Sequence, residues 1–532
     1  MSAPETSVLI TRLSAWAAMF PDKLATVVGD EHRTYGELTE QIRRVSVHLE
    51  EMGIGRGDHV GIVLPNCLEF LITMLAAADL GATMVPMSFG LPSATIVQAL
   101  AATGCSAVVA WHIVIADLAA MDGTAIPLER RISVGGRGRA WPSFPALLEP
   151  ADETKRLGRH AVPDQTPYIL GLTSGSTGAP KPIILSQRTK LLRSLSAMDM
   201  YGLDFGDVIL AATPLYHSLA QRLALLPLFI GATGAIMPHF TAQRWVDLVD
   251  TLCVSFTIAV SSQLEQLLAI GITAGRLGSL KTVVSSSALL RIPVKERLVT
   301  EWKCDFHECY GASEVGIASN LTPQAAKRKL ASVGQAAPGT DILILDDRGE
   351  ALGSGITGEI AVHSVTAFSG YWNNEAATLQ AFKDGFFLTG DVGYLDEEGF
   401  LYYVGRKKDI IITGGINVYP QDVEAVVREH PDVAEVAAIG VDDARFGETI
   451  LVVIIPRDLQ NPPSARSLQR HCRSRLADYQ QPQGFEFVAD FPRTELGKIR
   501  KCELAARFRD TRFAFSSLLP VPREGSIPER KA

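Results

Sequence analysis

The sequence predicts an α/β protein: a large N-terminal domain of layered α/β subdomains plus a small β-barrel-like subdomain, followed by a small α+β C-terminal domain. Three observations lead there. Segments of helical and strand periodicity alternate from Thr34 to beyond residue 200, the pattern of layered sheets with largely parallel strands. From about 331 to 404, short β-rich runs such as "DILILD" and "GEIAVHS" are divided by Gly and Asp turns, which reads as a small antiparallel sheet or barrel. The charged stretch "GRKKD", residues 405–409, then separates "FLYYV" from "IIITGG" and opens a second α/β segment. The expected division is 1–404, a junction at 405–408, a second domain at 409–516 and a tail at 517–532.

The elements follow in order. Thr34-Tyr35-Gly36-Glu37 has capping-box spacing, and the periodic segment after it runs to Met52, before Gly53. "HVGIVLP" reads as a strand, a helix follows from Asn66 towards Leu80, and "ATMVPM" reads as the next strand. "PYILGLTS" and "IILS", near residues 167–174 and 183–186, are strand-like as well. The tail "SLLPVPREGSIPERKA" is rich in proline and charge and is expected to be disordered.

Length and composition set limits. A chain of 532 residues is too long for one core. With 47% hydrophobic and 20% charged residues it reads as an ordinary globular protein. The net charge of -8, with no long basic run, argues against a nucleic-acid partner. The longest uncharged apolar run, 223–238, is shorter than the roughly 20 residues of a spanning helix. It also holds Pro227, Gly231 and Gly234, so it reads as core. No basic start with a long apolar block opens the chain, so no secretory signal is expected. Seven cysteines without a CxxC pair suggest reduced thiols and a cytoplasmic setting.

The stretch "LTSGSTGAPKPIILS", residues 172–186, has a composition suited to phosphate. It is not a Walker loop, which needs Gly-x4-Gly-Lys-Ser/Thr leading into a helix. Here Lys181 follows Gly178 at a distance of three and lies between Pro180 and Pro182, which oppose a helix. The loop therefore joins two strands. Its anion grip would come from backbone N–H groups freed by Gly175 and Gly178 and from the hydroxyls of Thr173, Ser174, Ser176 and Thr177, with Lys181 adding mobile positive charge. Taken alone, the same residues also make an ordinary Gly/Ser surface loop.

Four further motifs follow: "YGASEVG" (310–316), "TGD" (389–391), "GRKKDIIITGGINVYPQDVE" (405–424) and "PRTELGKIRK" (492–501). Together with the loop they resemble the acyl- and aryl-CoA synthetases of the AMP-forming adenylating superfamily, which includes peptide-synthetase adenylation domains and firefly luciferase. Each motif alone is weak; five in order over about Thr34 to Phe508 are specific. The resemblance implies an N-terminal adenylation domain, a hinge at 405–408 with Lys408 at the hinge position, and a mobile C-terminal domain. It also implies a reaction. A carboxylate attacks the α-phosphate of ATP to give acyl-AMP and pyrophosphate, and the acyl group then passes to a thiol, with ATP, Mg²⁺ and coenzyme A required.

The resemblance also assigns residues. The 173–178 loop and Lys181 would hold the β- and γ-phosphates, and Glu314 with Thr177 would hold Mg²⁺, a hard cation suited to oxygen ligands. Tyr310 would stack on adenine, with Ser287, Ala288, Glu308 and Gly311 around the base. Ser313 stands where the family usually has threonine and keeps a hydroxyl for the α-phosphate. Asp391 would accept hydrogen bonds from both ribose hydroxyls, and Arg406 would approach the same sugar. Lys498 would face the attacking carboxylate and the α-phosphate. Both reactants are anions, so positioning and charge neutralisation by Lys498, Lys181, Thr177 and Glu314 are what the chemistry needs.

For the second step the small domain would rotate and bring Gly414 and Gly415 to a pantetheine tunnel, where the lack of Cβ allows close approach. A tight β-turn would want the same glycines. Arg466, Arg470 and Arg473 fall on one helical face and read better as a solvated basic face than as a clamp for the 3′-phosphate of CoA.

The substrate reading rests on residues 216–229, "YHSLAQRLALLPLF", which hold no Asp or Glu. Family domains for α-amino acids usually place an aspartate there, and an unpaired ammonium in such a pocket is costly. His217 is expected near the carboxylate or gating the pocket, with a backbone-bonded core histidine as the alternative. Ser262 and Gln263, beside Ser261, supply a neutral opposite wall. An uncharged, largely apolar acyl or aryl group follows. Three runs depart from the family's usual sequence: "KPIILSQ", "VSSSALL" (284–290) and "YQQP" (479–482). They bear on pocket shape, and none removes a charged catalytic group. The expected activity is acid–CoA ligation, with an acyl-AMP ligase serving a carrier-protein pantetheine as the alternative. A non-catalytic nucleotide-binding protein would be expected to lose Lys498, Glu314 or Asp391, and all three are present.

Overall fold

The computed structural model describes residues 6–118, 126–136, 141–173, 181–272, 274–443, 446–494 and 497–508. The tail at 517–532 and residues 174–178 of the phosphate loop lie outside them. The chain divides into two compact units, Met1–Tyr403 and Val404–Ala532.

In the first unit, the strand His59–Val63, the helix Leu68–Leu80 and the strand Thr83–Pro86 form a parallel βαβ arrangement. They belong to a six-stranded sheet in the order Arg131–Val134, Ala107–Trp111, His59–Val63, Thr83–Pro86, Pro167–Thr173, Lys181–Ser186. The last pair alone is antiparallel, with Thr173 opposite Lys181. The strands that flank residues 174–180 are therefore hydrogen-bonded to each other.

A nine-stranded sheet runs in the order Gln335–Ala336, Gly316–Leu321, Asp305–Ala312, Thr282–Ser286, Phe256–Val260, Val208–Ala211, Thr233–Ile236, Leu24–Val28, Glu31–Thr34. The strands from Asp305–Ala312 to Leu24–Val28 are parallel. Strands covered on both faces read as continuous apolar runs, and Phe256–Val260 is buried at every position. Thr34 opens the helix Tyr35–Glu51 with both arms of the capping box: the Glu37 N–H donates to Thr34 Oγ1 at 3.2 Å, and the Thr34 N–H to Glu37 Oε2 at 2.9 Å. The apolar run at 223–238 supplies most of the helix Ser218–Ile230, a left-handed Gly231 and the strand Thr233–Ile236, all buried from 223 to 237. Tyr35 locks this turn, its hydroxyl bonded to the Ala232 carbonyl at 2.7 Å and to that of Pro227 at 3.1 Å. Among the described residues no helix is long and apolar enough to cross a membrane.

An antiparallel five-stranded sheet follows: Thr340–Leu345, Gly358–Ser364, Phe386–Leu395 and Phe382–Lys383, with Leu401–Arg406 beside Phe386–Leu395. Gln335–Ala336 belongs to the nine-stranded sheet instead, so the separate β-rich layer starts at Thr340.

The second unit is built on the antiparallel pair Val433–Asp443 and Gly447–Pro456. Alternate residues of Gly447–Pro456 face opposite ways. Ile450, Val452 and Ile454 pack with Val423, Val427, Leu468 and Cys472 of the helices Pro420–Arg428 and Ala465–Arg473. Leu451 and Val453 pack with Leu504 of the helix Lys501–Phe508.

Candidate active site

Asp305–Ala312 carries Tyr310, and Phe386–Leu395 carries Asp391. The fold brings them together across 81 residues: the Tyr310 hydroxyl donates to Asp391 Oδ2 at 2.8 Å. Asp391 is only 3% exposed. Its N–H donates to Thr389 Oγ1 at 3.1 Å, and the Thr389 hydroxyl donates to the Ile360 carbonyl, so the Thr-Gly-Asp turn is fastened to the neighbouring strand. Burial, then the Asp391 carboxylate, push the Tyr310 phenol well above its ordinary range, which keeps it a donor. Its ring centroid lies 5.9 Å from that of Tyr403.

Glu314 sits in the tight connection between Asp305–Ala312 and Gly316–Leu321. The Tyr371 hydroxyl donates to Glu314 Oε1 at 3.4 Å, and the Lys181 ammonium lies 5.9 Å from the centroid of the Tyr371 ring. Tyr371 reaches this place because residues 369–372 pair with the Lys181–Ser186 strand, through an Ile183–Tyr371 bridge and a Trp372 N–H to Pro182 carbonyl bond at 2.8 Å. Pro182, a departure from the family run, thus keeps a role as acceptor. The backbone of the turn is braced from inside. Arg193 Nη2 donates to the carbonyls of Ser313 and Glu314, each at 3.0 Å, and its Nε to that of Thr366 at 3.0 Å. The Ser313 residue itself is exposed. Glycine is obligatory at two places here. A Cβ on Gly311 would lie 1.9 Å from the Gly316 carbonyl oxygen, and Gly316 has φ +82°.

The segment after Thr282–Ser286 was expected around adenine. Ser287 adopts φ +75°, a left-handed conformation that glycine would hold without strain. Ala288 is exposed, and its carbonyl accepts the Ser261 hydroxyl at 2.6 Å. Glu308 is different from the expectation. Its carboxylate is 2% exposed, forms an ion pair with the buried Lys295, and accepts the Leu290 N–H at 3.0 Å. The side chain is turned into the core, where it anchors the 287–290 segment, and only its backbone is left to face a base.

Gln263 also departs from the reading as a pocket residue. Its Oε1 accepts the Val260 N–H at 3.2 Å, and its Nε2 donates to the Ala212 carbonyl at 2.9 Å. Both polar ends are used to cap the helix Ser261–Ala269 and tie it to the strand end at 212. Ser262 is half-buried at the start of that helix. His217 is half-buried at the N-cap of Ser218–Ile230, beside the Tyr216 ring at 4.6 Å. The residue that places this segment is Asn66, which sequence reasoning missed. Its Nδ2 donates to the carbonyls of Thr213 and Met237, and its Oδ1 accepts the Leu215 N–H at 2.7 Å. A buried asparagine between a strand and a helix of apolar residues was the available signal. Gln221 and Arg222 were also passed over in a segment read for its lack of Asp and Glu, and both are buried.

In the second unit, Lys498 is exposed on a tight turn. Its N–H donates to Thr494 Oγ1 at 3.1 Å, its carbonyl accepts the Thr494 N–H at 2.7 Å, and Gly497 has φ +81°. Gly414 and Gly415 have φ +56° and +80° and join Ile411–Thr413 to Ile416–Val418, with Thr413 paired to Ile416. This is a two-residue hairpin turn with two left-handed residues, the geometry that selects glycine. The turn alone explains both glycines, and a Cβ on Gly415 would meet nothing within 4 Å. Arg406 and Lys408 are exposed, Lys408 within the short helical turn Lys407–Asp409. Arg466, Arg470 and Arg473 are all exposed on the face of Ala465–Arg473 away from buried Leu468 and Cys472.

Comparisons with known proteins agree with this arrangement. Residues 13–372 match the model of the AMP-binding enzyme family, and residues 422–498 that of the AMP-binding enzyme C-terminal domain. An indoleacetate–CoA ligase of Aromatoleum aromaticum is 33% identical over 92% of this chain and 96% of its own. A fatty acid–[acyl-carrier-protein] ligase, ScoC of Streptomyces coeruleorubidus, is 28% identical over 95% of this chain and 97% of its own. Among solved structures, ATP-bound MatB from Rhodopseudomonas palustris superposes with a TM-score of 0.85 at 26% identity, covering 95% of this chain and 99% of that one. With both domains matched in order and the motif residues gathered as described, the chain belongs to the AMP-binding enzyme family of acid–thiol ligases.

Proposed function

We propose that the protein activates an uncharged, largely apolar carboxylic acid, aryl or aliphatic, with ATP, and passes the acyl group of acyl-AMP to the thiol of coenzyme A. The convergence of Tyr310 with Asp391, and of Lys181 with Tyr371 and Glu314, is the observation that supports it most. Asp391, buried and held by its own turn, would accept the ribose hydroxyls, and the Tyr310 ring would lie against the base. Lys181 and the loop before it, Thr173 to Gly178, would hold the phosphates, and Lys498 would neutralise charge between the carboxylate and the α-phosphate. Lys408 would serve as hinge and Gly414–Gly415 as the tunnel face. Among the described residues no three His, Cys, Asp or Glu side chains gather to hold a metal. A lone oxygen donor, Glu314, with Thr177, fits an ion that keeps water and phosphate ligands, as Mg²⁺ does, and that would offset phosphate charge.

Residues 216–229 hold no Asp or Glu to pair with an ammonium, and the likeness to an indoleacetate–CoA ligase favours an aryl acid. The likeness to a carrier-protein ligase supports a second reading, transfer to a carrier-protein pantetheine. The free cysteines support a cytoplasmic setting. The test is pyrophosphate release over a panel of acids, with CoA, with a pantetheinylated carrier, and with neither. A free amino acid or a dicarboxylate turned over better than every monoacid would overturn the substrate class, and thioester formed only on the carrier would establish the second reading.

A further inference from the structure

The helix Gln187–Tyr201 buries Lys190 and Arg193, and the helix Ser218–Ile230 buries Arg222; they are 1%, 3% and 7% exposed. Three cationic side chains thus share the interior of the first unit. They differ in how they meet that crowding. Lys190 Nζ donates to Gln221 Oε1 at 3.2 Å. Burial, then the charges of Arg193 and Arg222, push its ammonium well below its ordinary range. A lysine can shed its proton; a guanidinium at neutral pH does not. Arg193 is pushed down to about 9 by burial and Arg222, and so stays charged.

The two guanidinium groups are incompletely satisfied. Arg193 spends Nε and Nη2 on carbonyls, but its Nη1 has no hydrogen-bond partner, and neither has Nε of Arg222. The acidic groups around Arg222 are the Cys309 thiol and the Tyr201 phenol, both pushed up by burial and therefore neutral. Arg193 feels the Glu314 carboxylate, which Tyr371 already engages. A buried guanidinium with an N–H group left without an acceptor is a costly arrangement in a protein.

A cleft opens on this pair, lined by Arg193, Ser196, Arg222, Ile317, Pro338 and Thr366 among others. Pro338 in its wall is exposed. It has room for about one water-sized particle. Water would supply acceptor lone pairs but no charge. A monatomic anion supplies both and accepts N–H groups from any direction.

We propose that the Arg193–Arg222 cleft is a binding site for a halide-sized anion, chloride in class. Because Arg193 also holds the carbonyls of Ser313 and Glu314, the anion would steady the turn that carries the candidate catalytic carboxylate. The proposal does not depend on which acid is activated, and its test reads stability and density, not turnover.

The thermal midpoint of the full chain is measured in sodium chloride and in sodium gluconate at equal ionic strength. Chloride is expected to add a saturable increment of about 1–2 °C over gluconate. Arg222→Met should remove that increment. An equal midpoint in both salts, or an increment that survives in Arg222→Met, overturns the proposal. Should that variant fail to fold, crystals of the unaltered protein grown in bromide decide the matter. An anomalous peak between Arg193 Nη1 and Arg222 Nε supports the site, and an empty cleft refutes it.

Discussion

Replacing Glu308 with glutamine separates a core role from a nucleotide role for that residue. Glutamine keeps an acceptor for the Leu290 N–H but removes the negative charge that faces Lys295, and both partners are almost fully buried. Breaking a buried pair from one side costs about 3–5 kcal/mol. Lys295 Nζ retains the carbonyls of Leu330 at 3.0 Å and Ser332 at 3.4 Å, so the lower end, about 3 kcal/mol, is expected. All six tryptophans lie in the first unit, at positions 16, 111, 141, 245, 302 and 372, so urea unfolding followed by tryptophan fluorescence reports on the unit concerned. Pyrophosphate release gives the second readout. With the carboxylate turned away from the base, KM for ATP should stay within about threefold of the unaltered enzyme. An unshifted urea midpoint together with a rise in KM for ATP of about tenfold or more would refute the core role and put the carboxylate against adenine.

Four further outcomes are expected. Lys498→Ala should lose adenylation by about a thousandfold, since unit charges 4 Å apart at an effective dielectric near 20 interact by about 4 kcal/mol. Thioester formation from preformed acyl-AMP should largely persist, and equal loss in both half-reactions would count against this division. Gly415→Leu, whose added Cβ meets nothing in its own unit, should spare pyrophosphate release and block thioester formation; loss of both steps alike would remove the tunnel role. Ser287→Gly should raise the free energy of unfolding by a net of about 0.5 kcal/mol, the relief of left-handed strain less the added freedom of the unfolded glycine, seen as a higher urea midpoint, and a lowered midpoint would mean the hydroxyl outweighs the strain. Hydrogen bonding and charge from Arg43 and Arg44 hold the Glu40 carboxyl down at about 2, against an ordinary 4.5. Its depressed value makes its stabilisation complete above pH 4.5 and lost as pH falls towards 2. The gap between Glu40→Gln and the unaltered protein should therefore be open at about pH 6 and narrow by about pH 3; a gap independent of pH would falsify the assignment.

Features that depend on neighbours in the chain were legible in the sequence. The Thr34–Glu37 capping box, the hairpin around the 174–180 loop and the buried run at 223–238 follow from spacing, from proline, and from hydrophobic period. The Ser287 strain was not legible: "VSSSALL" stood out only as a departure from the family's run, and only the backbone shows the left-handed angle. The side-chain partners of Glu308, Lys295 and Leu290, and the Ala212 carbonyl that Gln263 meets are brought in by the fold, which no local pattern encodes, whereas the Val260 N–H is a local cap partner three residues away. A motif carries an address for a residue and says nothing of where the side chain points. Asn66 and Arg222 were missed because a polar residue in an apolar segment looks like surface until the segment is shown to be buried, and Arg193 because its helix, Gln187–Tyr201, holds so many polar residues that none stands out.

The brace made by Arg193 limits how this chain can be recombined with a relative. One guanidinium joins residue 193 to 313, 314 and 366, and a Cβ on Gly316 would stand 3.2 Å from its Nε and 2.9 Å from the Thr366 hydroxyl. These positions travel as a set. A crossover that imports residues 200–290 to change the acid pocket leaves the set whole. One that imports 300–330 alone brings in a foreign turn to be held by the native arginine, and it succeeds only where the donor also places glycine at 316. Swaps aimed at new substrates thus have a natural cassette, bounded on one side by the helix that carries Arg193 and on the other by the strand that carries Tyr310.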